Sequence, residues 1–264
     1  MLRVAFIGAG RVASHLAPAL QEGGAEVVEV WSRSRASAEE LASRLSCKAV
    51  WGSLDGVVRD ADLYVICVAD AALTDVVRRL HTGREQALFA HTAGSMPLSL
   101  FADAGHARGA VFYPMQTFSK ERAVDFARVH FFLETSCSED LQTLEQLAQH
   151  LTPIANIHRS TSAQRRRLHL AAVFACNFTN HCCTLAAELL ADAGLDFNIL
   201  LPLVDETVGK LHELPPCEAQ TGPAARRDEN VMGLHRAMLA DRPDVQRLYN
   251  LLSESIMKNS KLKT

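Results

Sequence analysis

The 264 residues contain no C-x-x-C pair, no lysine between residues 121 and 209, no internal repeat and no excess of either charge. Each absence removes a class of protein. Seven cysteines in an odd, unpaired pattern provide neither a disulfide framework nor a zinc site, and they point to free thiols in the reducing cytoplasm. A net charge of −3 gives no electrostatic basis for holding nucleic acid or an anionic membrane. The longest apolar stretch, around Leu168 to Cys176, is too short and too interrupted to cross a bilayer. An apolar strand opening at Leu2 leaves no place for a cleaved signal peptide. What is present is 48% hydrophobic content, ample for two cores.

The start of the chain is the most informative segment. Val4 to Ile7 read as a buried strand, followed by Gly8-Ala9-Gly10-Arg11-Val12-Ala13 in the pattern G-x-G-x-x-A. In that pattern the first glycine makes a tight turn, and the second lets backbone approach a pyrophosphate resting on the amino-terminus of the next helix. The context fits, with a helix over Val12 to Gln21 and a second apolar strand over Ala25 to Trp31. Gly8, Ala9, Gly10, Arg11 and Val12 are therefore the expected cofactor loop. A carboxylate at the end of the second strand would mark NAD, whereas this chain has Ser32-Arg33-Ser34-Arg35. Hydroxyl and guanidinium groups there suit the 2′-phosphate of NADP. The plainer reading of the arginines is a solvated turn before the helix Ser37 to Leu45, with Glu29 facing away.

The first half of the chain alternates strand and helix, the pattern of an α/β fold with a doubly wound, mostly parallel Rossmann-type sheet over residues 1–158. A weak strand at Lys48 to Val50 precedes a strong one at Asp62 to Val68. Val68, Ala69 and Asp70 are expected beside the nicotinamide ribose, Asp70 serving equally as a helix N-cap. The next strand, Ala87 to His91, runs into His91-Thr92-Ala93-Gly94-Ser95. His91, Thr92, Gly94 and Ser95 are substrate candidates there, although Ser95 can also cap a helix. Ala110 to Phe112 leads into Tyr113-Pro114-Met115-Gln116-Thr117-Phe118, where Gln116 is a further candidate. The strand His130 to Glu134, the helix Glu139 to His150 and a strand at Pro153 to Ile157 complete the sheet.

Beyond residue 158 everything reads as helix, so residues 159–264 form an all-helical domain for substrate and dimerisation, with substrate and cofactor meeting in an interdomain cleft. Thr161 to Ala193 is one long helix, followed by Asn198 to Glu213, Asn230 to Ala240 and Asp244 to Lys258. At 100° per residue His169, Val173, Asn177, Asn180 and Thr184 share one stripe about 80° wide, on a helix otherwise apolar nearly all round and hence expected to be buried. A polar stripe in such a place pairs across an interface or meets a ligand. His169 is the candidate for chemistry, and Asn177 and Asn180 for substrate positioning. Cys176, His181, Cys182 and Cys183 crowd together but project apart, so no metal is expected and the cysteines read as small buried residues. In the loop Thr221 to Asp228, Arg226 and Arg227 either clamp an anion or are surface charge, with Asp228 a helix cap; His235 is a weaker candidate.

These segments together resemble a family: the glycine loop, His91 to Ser95, Tyr113 to Phe118, Leu168 to Phe178 and Thr221 to Ala224. They are similar to bacterial Rossmann-like proteins with an uncharacterised helical carboxyl-terminal domain, labelled NADP oxidoreductases by similarity to deazaflavin-dependent enzymes. The helical domain resembles those of pyrroline-carboxylate reductase, ketopantoate reductase and 3-hydroxyacid dehydrogenases. The resemblance implies hydride transfer, a catalytic group on the first long helix and a homodimer built on the helices. The hydroxyacid dehydrogenases use a helix lysine with asparagine four residues on, where this chain has His169 and then Val173. Lysine chemistry therefore does not carry over, but histidine donates protons near neutral pH.

Two functions follow. One is an NADPH-dependent reductase of a small carbonyl or imine compound with His169 as general acid. The other is an NADP(H)-binding sensor or structural dimer without turnover.

Overall fold

The computed structural model describes residues 1–260. Its first compact unit is Met1–Cys176 and its second begins at Asn177.

The first unit is built on an eight-stranded sheet in the order β3-β2-β1-β4-β5-β6-β7-β8. The strands are β1 (Arg3–Ile7), β2 (Glu26–Ser32), β3 (Lys48–Trp51), β4 (Leu63–Ile66), β5 (Leu88–His91), β6 (Gly109–Met115), β7 (His130–Thr135) and β8 (Ile157–Arg159). All pairings are parallel except β6 with β7. Helices α1 (Ala13–Glu22), α2 (Arg35–Leu45), α3 (Asp70–Leu80), α4 (Leu100–Asp103) and α5 (Ser138–Gln149) lie between the strands.

Alternation along each strand feeds two cores. Val4, Phe6, Val65 and Phe112 pack with residues of α1, α2 and α5. Ala5, Ile7, Tyr64, Ile66 and Phe89 pack with residues of α3 and α4. The sequence order reverses between β1 and β4, the position at which doubly wound sheets open a crevice at their carboxyl ends. Ile7 pairs with both Trp31 and Ile66, and Ile66 pairs with His91. Gly8, Ser32, Cys67 and Thr92 consequently emerge side by side.

The all-helical second half is observed, with its beginning altered. The expected strand at Pro153 to Ile157 is instead a 3₁₀ turn, Ile154–Asn156, followed by β8. The expected single helix is α6 (Ser162–Ala172), a π-helical segment Val173–Phe178, and α7 (Thr179–Asp192). The π segment turns less per residue than an α-helix, so Asn177 and Asn180 do not continue the straight stripe drawn from His169. The division between units lies in this segment, beyond the 158/159 boundary read from the pattern, because the first turns of α6 are anchored to the sheet. Within Ser162–Asp192 Arg165 alone is buried, while Leu170, Phe174 and Phe178 are 59%, 63% and 49% exposed. The expected burial of this helix is thus absent from the chain, and Cys176 and Cys182 are exposed rather than buried. Nor is the apolar run too short: Ser162–Asp192 is, among the described residues, the one helix long and apolar enough to cross a membrane.

The second unit continues through α8 (Leu201–Lys210), α9 (Pro216–Ala219), α10 (Pro223–Arg226), α11 (Glu229–Met238) and α12 (Pro243–Ser260). Ala224, Met232 and Leu239 are its buried apolar residues. Arg242 pairs with Asp192 of α7.

Candidate functional site

A cavity of about 530 Å³ opens at the switch point and is lined by Gly8, Ala9 and Gly10, by Trp31 to Ser34 and Ser37, and by Cys67, Val68 and Ala69. Gly8 is obligatory: its φ is +115°, and a Cβ there would stand 2.4 Å from the Cys67 carbonyl oxygen. At Gly10 nothing lies within 4 Å of the corresponding position, so backbone is open to a ligand. The N-cap of α1, Val12, has no side-chain hydrogen bond to the helix, and with the Ser14 and His15 amides bonded to the Gly10 and Val12 carbonyls, an anion there would be received by the amides of the glycine loop ahead of them. Arg11 is exposed and Val12 packs on the core; neither lines the cavity.

On the other wall Ser34 caps α2, accepting from the Ser37 amide at 3.4 Å, and Arg33 is exposed at the rim. Arg35 turns away, bonded to Glu39 (2.8 Å) and stacked 4.7 Å over the Trp51 ring. Glu29 faces away as expected, accepting from the Val58 amide (2.9 Å) and paired with Lys48 (2.9 Å). The cavity therefore offers amides, hydroxyls and a guanidinium with no carboxylate, a donor set for a phosphorylated dinucleotide.

Beside it stand Gly94, Tyr113 and His169. Tyr113 on β6 and His169 on α6 approach to 3.4 Å between the phenol oxygen and Nδ1, with the rings edge to face. A Cβ at Gly94 would lie 2.8 Å from His169 Nδ1 and 2.9 Å from the Tyr113 ring, so only glycine admits the pair. These three do not line the cavity; the segment carrying Gly94 meets its wall through Thr92 Oγ1 to Cys67 Sγ at 3.5 Å, and meets α3 next to it through the Ser95 hydroxyl to the Asp70 carboxylate. Asp70 is not the N-cap of α3, whose cap is Ala69; its carboxylate takes the Ser95 hydroxyl, and so Ser95 caps no helix.

What places His169 is one turn earlier. Thr161 and Gln164 form a capping box at the start of α6. Ser162 donates to Glu134 (2.8 Å) and accepts from the Leu98 amide (2.9 Å). Arg165, fully buried, bonds Glu134 and the Met96 carbonyl. Three elements, β7, α6 and the segment after Gly94, are thus tied together. Burial pushes the Tyr113 phenol pKa up, while the Arg165 charge opposes that rise.

A Bacteroides fragilis protein described as a putative NADP oxidoreductase shares 47% identity with this sequence, covering 97% of this chain and 98% of its own, with a TM-score of 0.92. The chain belongs to this NADP oxidoreductase family. Residues 3–93 match the family described as coenzyme F420-dependent NADP oxidoreductase, and residues 129–256 match DUF2520, a domain of unknown function. No curated protein matches in sequence. An imine reductase from Myxococcus stipitatus solved with NADP⁺ has the same fold, with a TM-score of 0.70 at 16% identity over 98% of this chain and 94% of its own. So has a Plasmodium falciparum pyrroline carboxylate reductase solved with NADP, with a TM-score of 0.56 at 14% identity over 99% and 97%.

The other expected residues lie elsewhere in the chain. The His91 imidazole, expected at the substrate, is fully buried and stacked on Phe101. Its pKa is pushed down to about 3 by burial and by the Arg165 charge, against a weaker pull from the Pro97 backbone. Gln116 is exposed and accepts from the Thr117 amide (2.8 Å). Asn177, Asn180 and Arg226 are exposed residues of the second unit. Asp228 caps α11, and His235 meets Tyr249 at 3.0 Å.

Sequence reasoning missed Tyr113, Glu134 and Arg165. Tyr113 stood in a polar-aromatic segment to which no role was given, and Arg165 opens the run Arg165-Arg166-Arg167, which reads as solvated.

Proposed function

We propose that the chain is an NADPH-dependent reductase of a small carbonyl or imine compound, with His169 as the proton-donating group. The observation that carries the reading is the His169 imidazole held against Gly94 and Tyr113 beside the glycine-loop cavity. NADP(H) is the dinucleotide because Arg33, Ser34 and Ser37 line the cavity while Glu29 is committed elsewhere. When bound it supplies the hydride. The residues of the chain do the rest: the α1 amino-terminus holds the pyrophosphate, Arg33 holds the 2′-phosphate, and His169 delivers a proton to the reduced substrate.

We further propose that the protein works as a cytoplasmic homodimer through its helices. Ser162–Asp192 carries exposed Leu170, Phe174 and Phe178, but also buried Arg165 and the polar His169, Asn177 and Asn180, which are costly in hydrocarbon. A second copy suits that mixture better than lipid.

The deciding variant is His169→Ala. Single-turnover NADPH oxidation, tested with small ketones, aldehydes, cyclic imines and a deazaflavin as acceptors, should fall about 100-fold with NADPH affinity and melting temperature nearly unchanged. A large drop in melting temperature with unchanged turnover per folded molecule would remove His169 from the chemistry. Tight NADPH binding without turnover of any acceptor would leave the sensor reading.

A further inference from the structure

We propose that Tyr113 locks neutral His169 in its Nε2–H tautomer, so that the substrate atom facing the imidazole is a hydrogen-bond acceptor, the oxygen of a ketone or aldehyde rather than a protonated iminium. The role in catalysis rests on the reductase reading; the tautomer rests on geometry alone.

Tyr113 is buried on β6, and among the described residues its hydroxyl has one hydrogen-bond partner, His169 Nδ1 at 3.4 Å. A buried phenol that accepted from Nδ1–H would leave its own O–H without an acceptor, and native structures avoid that. Tyr113 therefore donates and Nδ1 accepts. Neutral imidazole carries one N–H, which must then be on Nε2. The Nδ1 edge is the one pressed to Gly94 and Tyr113, where a single methyl at residue 94 would come within 2.8 Å. Nε2 thus points away from both, on a side chain that is half-buried.

An Nε2–H donor faces acceptors. A carbonyl oxygen offers two lone pairs, whereas a protonated iminium offers only an N–H and would meet donor against donor. In the reduction, the hydride brings its electron pair to the carbonyl carbon and the C=O π pair moves to oxygen. That oxygen takes the Nε2 proton while Nδ1 takes the Tyr113 proton. The C–H and O–H bonds form, the substrate π bond and the Nε2–H bond break, and histidine ends neutral in the opposite tautomer. Charge rests transiently on the Tyr113 oxygen, which burial disfavours and the Arg165 charge only partly offsets, so solvent returns the proton to complete the step.

Two-bond ¹H–¹⁵N NMR on the full chain labelled at histidine, without dinucleotide and at mildly alkaline pH, reads the tautomer directly; His169→Gln assigns the signal. The expected result is the Nε2–H pattern in the wild type and a tautomer mixture in Tyr113→Phe, with a similar mixture in Gly94→Ala. An Nδ1–H pattern in the wild type, or no change in Tyr113→Phe, overturns the proposal. The substrate class is read with NADP⁺ present by adding isobutyramide, a carbonyl acceptor, or pyrrolidine, a cationic donor at that pH. Isobutyramide alone should shift the Nε2 signal; a shift with pyrrolidine alone, or with neither, overturns the carbonyl assignment. Single-turnover NADPH oxidation on the same samples separates this from failure of the reductase reading, which would appear as absent turnover of every acceptor with the tautomer unchanged.

Discussion

Arg165 and Glu134 form an ion pair in which the arginine side chain is fully buried and the glutamate keeps 16% of its surface. Among the described residues Arg165 Nε has no hydrogen-bond partner, so the guanidinium is held through its terminal nitrogens by Glu134, the Met96 carbonyl and the Ser162 hydroxyl. Removing one member of a buried pair strands the other charge and costs about 3–5 kcal/mol. Arg165→Met should lower urea stability by that amount. Adding Glu134→Gln should recover part of it, and a loss below 1 kcal/mol would show the pair to be dispensable.

Arg33 lies at the rim of the dinucleotide cavity without a competing carboxylate. Arg33→Asp should weaken NADPH far more than NADH, because the new carboxylate repels the 2′-phosphate. Titration calorimetry giving equal losses for both nucleotides would refute the assignment.

His91 gives the fold a pH dependence of known sign. Its folded pKa is about 3 against an ordinary 6.5, so the neutral form stabilises the fold fully above pH 6.5. Stability falls as pH drops from 6.5 toward 3, because the unfolded chain binds a proton that the folded chain excludes. The total is about 5 kcal/mol. His91→Phe should remove one proton's worth of slope from stability measured across that window; parallel wild-type and variant profiles would contradict it.

The helix Ser162–Asp192 leaves Leu170 and Phe174 exposed. Light scattering of the wild type at micromolar concentration should give a dimer mass, and Phe174→Glu should shift it toward monomer. A wild-type monomer would end the dimer proposal.

The alternating strands were legible because each fully buried parallel strand is a short apolar run bounded by turn residues, as Val4–Ile7 and Leu63–Ile66 are. The glycine loop was legible for a steric reason, since Gly8 stands where no Cβ fits. Arg33 and Ser34 could be placed by counting from a strand end. The stretch Thr161 to Ala193 was read as one buried rod, because periodicity assumes constant turn; the π segment at Val173–Phe178 broke the phase.

By itself the sequence determined what depends on near neighbours in the chain: the sheet, the cofactor loop and its charge, and His169 as a polar group on an apolar helix. Tertiary structure alone decided which side chains surround that histidine. Gly94, Tyr113 and His169 come from β5's end, β6 and α6, far apart in sequence, and Arg165 with Glu134 draws the helix to the sheet. His91, polar and at a strand end like a ligand residue, was taken into the core by Phe101. Local pattern fixes where a side chain starts, but burial and pairing across long sequence separations fix what it touches, and the chemistry depends on the latter.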